Sequence, residues 1–492
     1  MLKSARQSEL PWPGTALQTG VSVRQSIRCD PWRIGAVAAI LIVTLWRVGW
    51  LAASPAELSV DESQYWFWGQ ELAFGYYSKP PLIGWIIGLT TGLLGSDSPF
   101  AIRLATPLFH GATAAVILAL GAQMAGRRVG SVAAMIYLTL PASIIGSMTI
   151  STDTPMLFFQ ALSLLLMHNL AKTSSLPKAI GLGLAIGLGA MAKYAMLFAL
   201  PGMILIAMFV PGWAVRRRDG WVAAITALAT LAPNIVWNLQ HGFATLRHTA
   251  DISAWTGALF HPDKMLEFLL SQFAVFGPVI FGVIVLQAGR AVLFRTDLTE
   301  RAMILGLLPI LSIVTAQALM SHALANWAVG VGVAGSILAA SVLLRRAPGL
   351  LMASMILHGT LSVVLPALPA LAYGMHLPNG ALLFKRYMGQ EQVSLFALDE
   401  ARAAGLAVVV AGTRPLVADL FYQVRNGGPA VYAVPPAHTA QNHFELTHPV
   451  PHSLTGDVLY LAEAGQTIAC TGKNTVPVAL ARMSAGPGSA EG

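Results

Sequence analysis

Apolar residues run along this chain in long blocks, and polar residues fall mostly in the intervals between them. A helix that crosses a bilayer needs roughly 20 mostly apolar residues. About eleven blocks meet that measure by hydropathy, at approximately 34–52, 100–124, 130–149, 155–171, 176–192, 195–211, 220–239, 265–288, 302–320, 325–344 and 349–370. Three intervals are too long for plain connections: 53–99, rich in aromatics and prolines, then 240–264, and the stretch after Tyr373, where hydropathy falls. That last stretch reads as a small α/β unit. Helical stretches around 398–404 and 415–425 precede β-rich runs at 406–410 and 430–434, and a short strand is expected at 458–462. Alternation of this kind marks βα units. The chain then divides into an N-terminal segment 1–33, a membrane domain 34–372 that includes the loop 53–99, an α/β domain 373–483 and a disordered tail 484–492. It shows no internal repeat and no low-complexity segment.

Composition narrows the class. Of 492 residues only 11% are charged and 55% are hydrophobic, against roughly 25% charged in a soluble domain. Mean hydropathy is +0.65. A soluble multidomain protein, a disordered chain, a coiled coil and collagen are excluded. Cys29 and Cys470 form neither a zinc pattern nor a disulfide framework.

The formal charge is +8, and its placement decides its meaning. Lys3, Arg6, Arg24, Arg28 and Arg33 precede or open the first block, which argues for a cytoplasmic start and an uncleaved first helix. Counting spans from there, the inner loops hold Arg127-Arg128, Lys172 and Lys178, Arg216-Arg217-Arg218, then Arg290, Arg295 and Arg301, and finally Arg345-Arg346. Every inner loop is basic, as the positive-inside rule requires. The surplus is therefore mostly topological, nucleic acid drops out as a partner, and the α/β unit falls outside.

A smaller set of polar residues maps to the outer face. Asp61 and Glu62 follow the first span; either acid suits a general base or a sugar contact, or simply a solvated helix start. Lys79, in Tyr76-Tyr77-Ser78-Lys79-Pro80-Pro81, is presented from a stiff turn and suits a phosphate or a lipid headgroup. Asp153, in Ser151-Thr152-Asp153-Thr154-Pro155, reads as a second active-site acid or a helix cap, with Asp153 or Thr154 at the cap and Pro155 at the first helical position. Lys193 and Tyr194 lie where two spans meet with almost no linker, a place that favours an anionic partner. Arg247, His248 and His261 belong to a polar outer loop without a firm metal-ligand spacing. Asn326 stands beside Trp327 at an outer span end. Tyr65 and Tyr77 belong to the aromatic runs around Asp61 and Lys79. Acids beside lysines fit a site that binds an anionic lipid phosphate and activates a hydroxyl. No Walker-type loop is present to bind a nucleotide.

The Asp61-Glu62 pair after the first span, the aromatic run and Lys79-Pro80-Pro81-Leu82 resemble the GT-C membrane glycosyltransferases. Phe100-Ala101-Ile102-Arg103 with Pro107, Thr152–Pro155 and Ala192-Lys193-Tyr194 extend the match over about residues 33–345. The pattern is similar to glycosyltransferase family 39 and its bacterial relatives. These include protein O-mannosyltransferases, the aminoarabinose transferase of lipid A and the galacturonosyl transferases of lipopolysaccharide. The resemblance implies a GT-C fold and an inverting transfer from a polyprenyl-phosphate sugar donor in the outer leaflet. Asp61 would be the general base, and Lys79 and Lys193, with Arg247, would engage the donor phosphate. Asp153 would be a second catalytic acid. Glu62, Tyr65, Tyr77, Tyr194, His248, His261 and Asn326 would contact substrate. One departure is Ser78, where the aminoarabinose branch carries a glutamate, so that branch's zinc site is not expected. No metal or other cofactor is expected. Partners are membrane lipids, the donor and an envelope acceptor such as lipid A, lipopolysaccharide core or another surface glycan. The expected place is a bacterial inner membrane, with the site and the α/β domain periplasmic. Two alternatives are transfer to secreted protein and, from another class, a secondary transporter. Midplane polar or broken helices with repeat symmetry would mark the transporter, and none is seen in the sequence.

Overall fold

The computed structural model describes residues 30–463, apart from 254, 256–258, 294, 295 and 437. The expectations placed on the two cysteines, the basic residues before Asp30, Arg295 and the tail 484–492 lie outside those residues. Helix α1 (Pro31–Ala53) opens with Pro31 at its first position, and the Asp30 carboxylate accepts from the Trp32 N–H at 3.3 Å. Two helices follow in the interval read as a loop, α2 (Val60–Gln70) and α3 (Leu82–Leu94). Then come α4 (Pro99–Arg103), α5 (Ala105–Ala125), α6 (Arg127–Thr139), α7 (Pro141–Gly146), α8 (Asp153–Lys172) and α9 (Leu176–Ala192). A 3-10 turn, Tyr194–Ala199, leads into α10 (Leu200–Phe209). The rest of the helical body is α11 (Arg217–Gln240), α12 (Ala244–Ser253), α13 (Pro262–Phe276), α14 (Pro278–Leu293), α15 (Leu298–Met320), α16 (Val331–Arg346) and α17 (Pro348–Leu371).

Among the described residues six helices are long and apolar enough to cross a membrane: α1, the run of α4 and α5, α8, α11, α15 and α17. Other expected spans are shorter or broken. The block 265–288 is two helices, because Gly277 turns to φ +82° and Pro278 follows it. The block 130–149 breaks at Leu140, before Pro141. Proline has no N–H to give and disfavours a helical residue before it.

The helices pack by close approach. A Cβ at Gly183 would lie 2.4 Å from the Ala223 carbonyl oxygen, and one at Gly187 would lie 2.6 Å from Thr230 Cβ. This small-xxx-small face lets α9 and α11 meet backbone to backbone. Every residue from Val331 to Leu343 is buried, so α16 is a central helix.

Charge marks one end of the bundle. Asp30 pairs with Arg127 at 3.6 Å, and Thr299 Oγ1 donates to the Met124 carbonyl at 3.4 Å. Arg345 pairs with Asp297 at 2.5 Å and Glu300 at 2.6 Å. From that end the 23 residues of α15 rise about 35 Å.

After α17 the chain forms α18 (Gln390–Ala403), β1 (Val408–Ala411), α19 (Arg414–Gln423), β2 (Ala430–Ala433), α20 (His443–Thr447) and β3 (Leu459–Leu461). The strands form a parallel sheet in the order β2-β1-β3, with Val409 beside Val431 and Leu459. This unit is fastened to α2. Phe67 packs on Phe421 and Phe444, with ring centroids 4.6 and 5.2 Å away, and Tyr422 donates to the Asp97 carbonyl at 2.8 Å. The Glu57 carboxylate accepts from the N–H groups of Gly389, Gln390 and Glu391 at 3.0–3.2 Å. A carboxylate at the free N–H groups that open α18 is favourable.

Candidate active site

The site begins at the first turn of α2. Successive helical residues are about 100° apart, so neighbouring Asp61 and Glu62 face different ways. Glu62 turns inward and is 1% exposed. Its Oε1 accepts from Arg103 Nε at 2.8 Å and the Ile150 N–H at 3.0 Å. Its Oε2 accepts from Arg103 Nη2 at 2.8 Å and from the Ser59 N–H and hydroxyl at 3.0 Å. Burial opposes its charge, but Arg103 and these donors outweigh it and hold the carboxyl below its ordinary range. The expected substrate contact is therefore corrected: Glu62 has no free face and joins α2 to α4.

Asp61 faces outward, with its side chain 42% exposed. Its Oδ2 accepts from Arg386 Nη2 at 3.2 Å, and its Oδ1 accepts from Arg414 Nη2. Both arginines come from beyond α17. Arg414 Nε is buried and has no hydrogen-bond partner.

A second carboxylate stands at the start of α8. Asp153 Oδ1 accepts from Lys193 Nζ at 2.6 Å, and Oδ2 accepts from Asn326 Nδ2 at 3.2 Å. The capping expectation needs correction. Thr152 holds the cap position, Asp153 is the first helical residue, and no side chain caps the helix. Lys193 reaches Asp153 from the end of α9.

Lys79 stands within electrostatic reach of both carboxylates. Its turn is closed by the Tyr76 N–H donating to the Lys79 carbonyl at 3.1 Å. The half-buried ammonium has no hydrogen-bond or ion-pair partner. Burial first, then the like charges of Lys193 and Arg414, push its pKa down to about 8, against the pull of Asp153 and Asp61. Tyr65 is buried beside the same charges; burial, then Asp61, raises its phenol above the ordinary range. Tyr77 packs on His248 with centroids 5.1 Å apart. Burial, then Lys79 and Arg414, lower His248 to about 4, so its ring is neutral at pH 7.

Tyr194 supports the site from behind: its hydroxyl donates to Asn234 Oδ1 at 2.6 Å and accepts from Asn238 Nδ2 at 3.2 Å. Asn234 also donates to the Phe74 carbonyl at 2.8 Å. Arg247 forms no hydrogen bond or ion pair with the cluster among the described residues. Arg247 is exposed beside Gly242, and the His261 N–H donates to the Leu319 carbonyl at 2.6 Å. Among the described residues no three His, Cys, Asp or Glu side chains gather as metal ligands.

Sequence reasoning missed Arg386 and Arg414. A signal for Arg414 was available: it follows β1 in the βα turn Gly412-Thr413-Arg414. The carboxyl ends of parallel strands are where open α/β sheets bind ligands.

The arrangement gives an exposed carboxylate beside a cluster of cations, one of them unpaired. Comparison with known proteins agrees with a transferase. The family model for dolichyl-phosphate-mannose-protein mannosyltransferase matches residues 78–237. The lipid A galacturonosyltransferase RgtD of Rhizobium johnstonii is 38% identical over 430 residues, 87% of this chain and 91% of that one. The lipopolysaccharide core galacturonosyltransferase RgtA of the same organism is 30% identical over 292 residues, 53% of this chain and 55% of that one. The fold is similar to apo ArnT from Cupriavidus metallidurans, with a TM-score of 0.58 at 14% identity over 85% of this chain and 87% of that one. ArnT bound to undecaprenyl phosphate gives a TM-score of 0.54 at 16% identity over 76% and 72%. This chain belongs to the GT-C membrane glycosyltransferases, in the family of RgtD.

Proposed function

We propose that this enzyme transfers a galacturonosyl residue from a polyprenyl-phosphate donor to lipid A or a related envelope glycan at the periplasmic face of the inner membrane. The observation that carries the reading is Lys79, an unpaired ammonium within electrostatic reach of both carboxylates, Asp61 and Asp153. The undecaprenyl phosphate held by ArnT and the acceptor of RgtD supply the donor and acceptor classes. The positive-inside pattern supports the outer face.

In this reading Asp61 is the general base. A carboxylate has about four lone-pair sites, so the two arginines leave room for an acceptor hydroxyl. Asp61 takes the hydroxyl proton as the oxygen attacks the sugar's C1. A new C1–O bond forms, and the bond from C1 to the phosphate oxygen breaks with its electron pair. Polyprenyl phosphate leaves and C1 is inverted. Lys79 and Lys193 stabilise the charge that grows on the leaving phosphate. Asp153 holds Lys193 in place, and Asn326 fixes Asp153. No cofactor is called for, because the activated phosphate is already the leaving group.

Mass spectrometry of lipid A and core glycan from cells with and without the gene tests the reading. Loss of one hexuronic acid from lipid A in the deletion strain is expected. Unchanged lipid A and core with a change in secreted protein would overturn it.

A further inference from the structure

The charges around Lys79 do not balance. Lys79, Lys193, Arg386 and Arg414 surround the two carboxylates Asp61 and Asp153, leaving two positive charges in surplus. The next acid, Asp251, acts on His248 and Tyr77, and His248 is neutral. A neutral hexose on polyprenyl phosphate brings one negative charge, that of the phosphodiester. A hexuronic acid brings a second, on the carboxylate attached to C5. We propose that Arg414 reads this carboxylate and sets the preference for an acidic sugar over a neutral one; this rests on the transferase reading above.

Three observations select Arg414 over Arg386. Its side chain is 35% exposed against 68% for Arg386. It is felt at both Lys79 and His248. Its Nε is buried without a partner while Nη2 serves Asp61. A guanidinium carries five N–H donors in a planar fork suited to a carboxylate. Only Nη2 is bound to Asp61 and the side chain is part-exposed, so the outer N–H donors of the guanidinium can take a ligand oxygen while Asp61 stays in place. In the donor, C1 bears the phosphate and C5 the carboxylate, and both flank the ring oxygen. One sugar ring thus presents one anion to Lys79 and the other to Arg414. The guanidinium also comes from the α/β unit, so that unit selects the sugar.

The test uses the full chain in detergent, lipid A as acceptor, and two synthetic donors, polyprenyl-phosphate galacturonate and polyprenyl-phosphate galactose. The wild type should favour the uronate on the order of 10⁴-fold in kcat/KM, as expected where a site is built to pair a polar group that the competitor lacks. Arg414→Gln should shrink that ratio to within about 5-fold, and Arg414→Lys, which keeps charge but loses the fork, should lie between. Lys79→Ala should lower both donors in parallel, because both carry the phosphate. Equal use of both donors by the wild type would overturn the proposal and leave the transferase reading intact. Parallel loss of both donors in Arg414→Gln would also overturn it, since that is the result for a residue acting only through Asp61. Transfer from neither donor by the wild type would defeat the transferase reading, and the proposal with it.

Discussion

Asp61 and Glu62 are consecutive on α2, yet the charges around them are organised in opposite ways. Glu62 and Arg103 form a closed pair. Both are almost fully buried, the geometry is bidentate, and the remaining acceptor sites of Glu62 are filled by Ser59 and Ile150. A second closed group stands at the other end of the bundle, where Arg345 and Arg346 meet Asp297 and Glu300 in equal numbers. Around Asp61 the count is unequal, and Lys79 has no partner. Closed groups hold helices together and have nothing left to bind. An open group keeps capacity for a ligand of the missing sign. The difference separates scaffold from site more sharply than residue type does, since both are built from carboxylates and basic side chains.

That contrast breaks if the two neighbours answer mutation alike. Asp61→Asn should lower kcat by about 10²–10⁴-fold, the usual contribution of a positioned general base, with little change in melting temperature. Retention of more than about a tenth of wild-type kcat would remove Asp61 from that role. Glu62→Ala should act on stability. It leaves the Arg103 guanidinium buried without its carboxylate, which costs about 3–5 kcal/mol. Thermal melting in detergent reads it, and an unchanged melting temperature would mean that the pair does not hold α2 to α4.

Much of this was legible in the sequence, for physical reasons that also mark where reading fails. The βα alternation after Tyr373 was visible because each strand is a short β-branched or apolar run; β2 and β3 lie within the expected stretches, and β1 overruns its own by one residue. Asp153, Lys193 and Asn326 come together in one hydrogen-bonded group, each at the end of a helix or turn. Helix α2 was hidden. Every residue from Glu62 to Trp68 is buried, so it has no polar face and no amphipathic period to detect. The broken spans were hidden too, since hydropathy does not register Gly277 or Pro141. Arg414 lies 353 positions from Asp61, and no local pattern links two residues so far apart. Sidedness alone also put Arg247 with the site, although sharing an outer face does not bring side chains into contact.

The last prediction concerns the unpaired lysine, and its effect is the smallest. Burial and neighbouring cations lower Lys79 to about 8 by disfavouring its charged form. A bound phosphate does the reverse and favours the ammonium. Donor affinity should therefore be highest below pH 8 and fall as pH rises through that value. Between pH 7 and pH 9 the protonated fraction drops about tenfold, so donor KM should rise by up to about 10-fold. His248, lowered to about 4, stays neutral over this range and adds no slope. Lys79→Arg replaces the titrating ammonium with a guanidinium that stays charged, so its donor KM should be flat from pH 7 to pH 9. A flat profile in the wild type would show that the charge of Lys79 does not hold the phosphate. The surplus that distinguishes this group from the closed pairs would then have another anion to answer for.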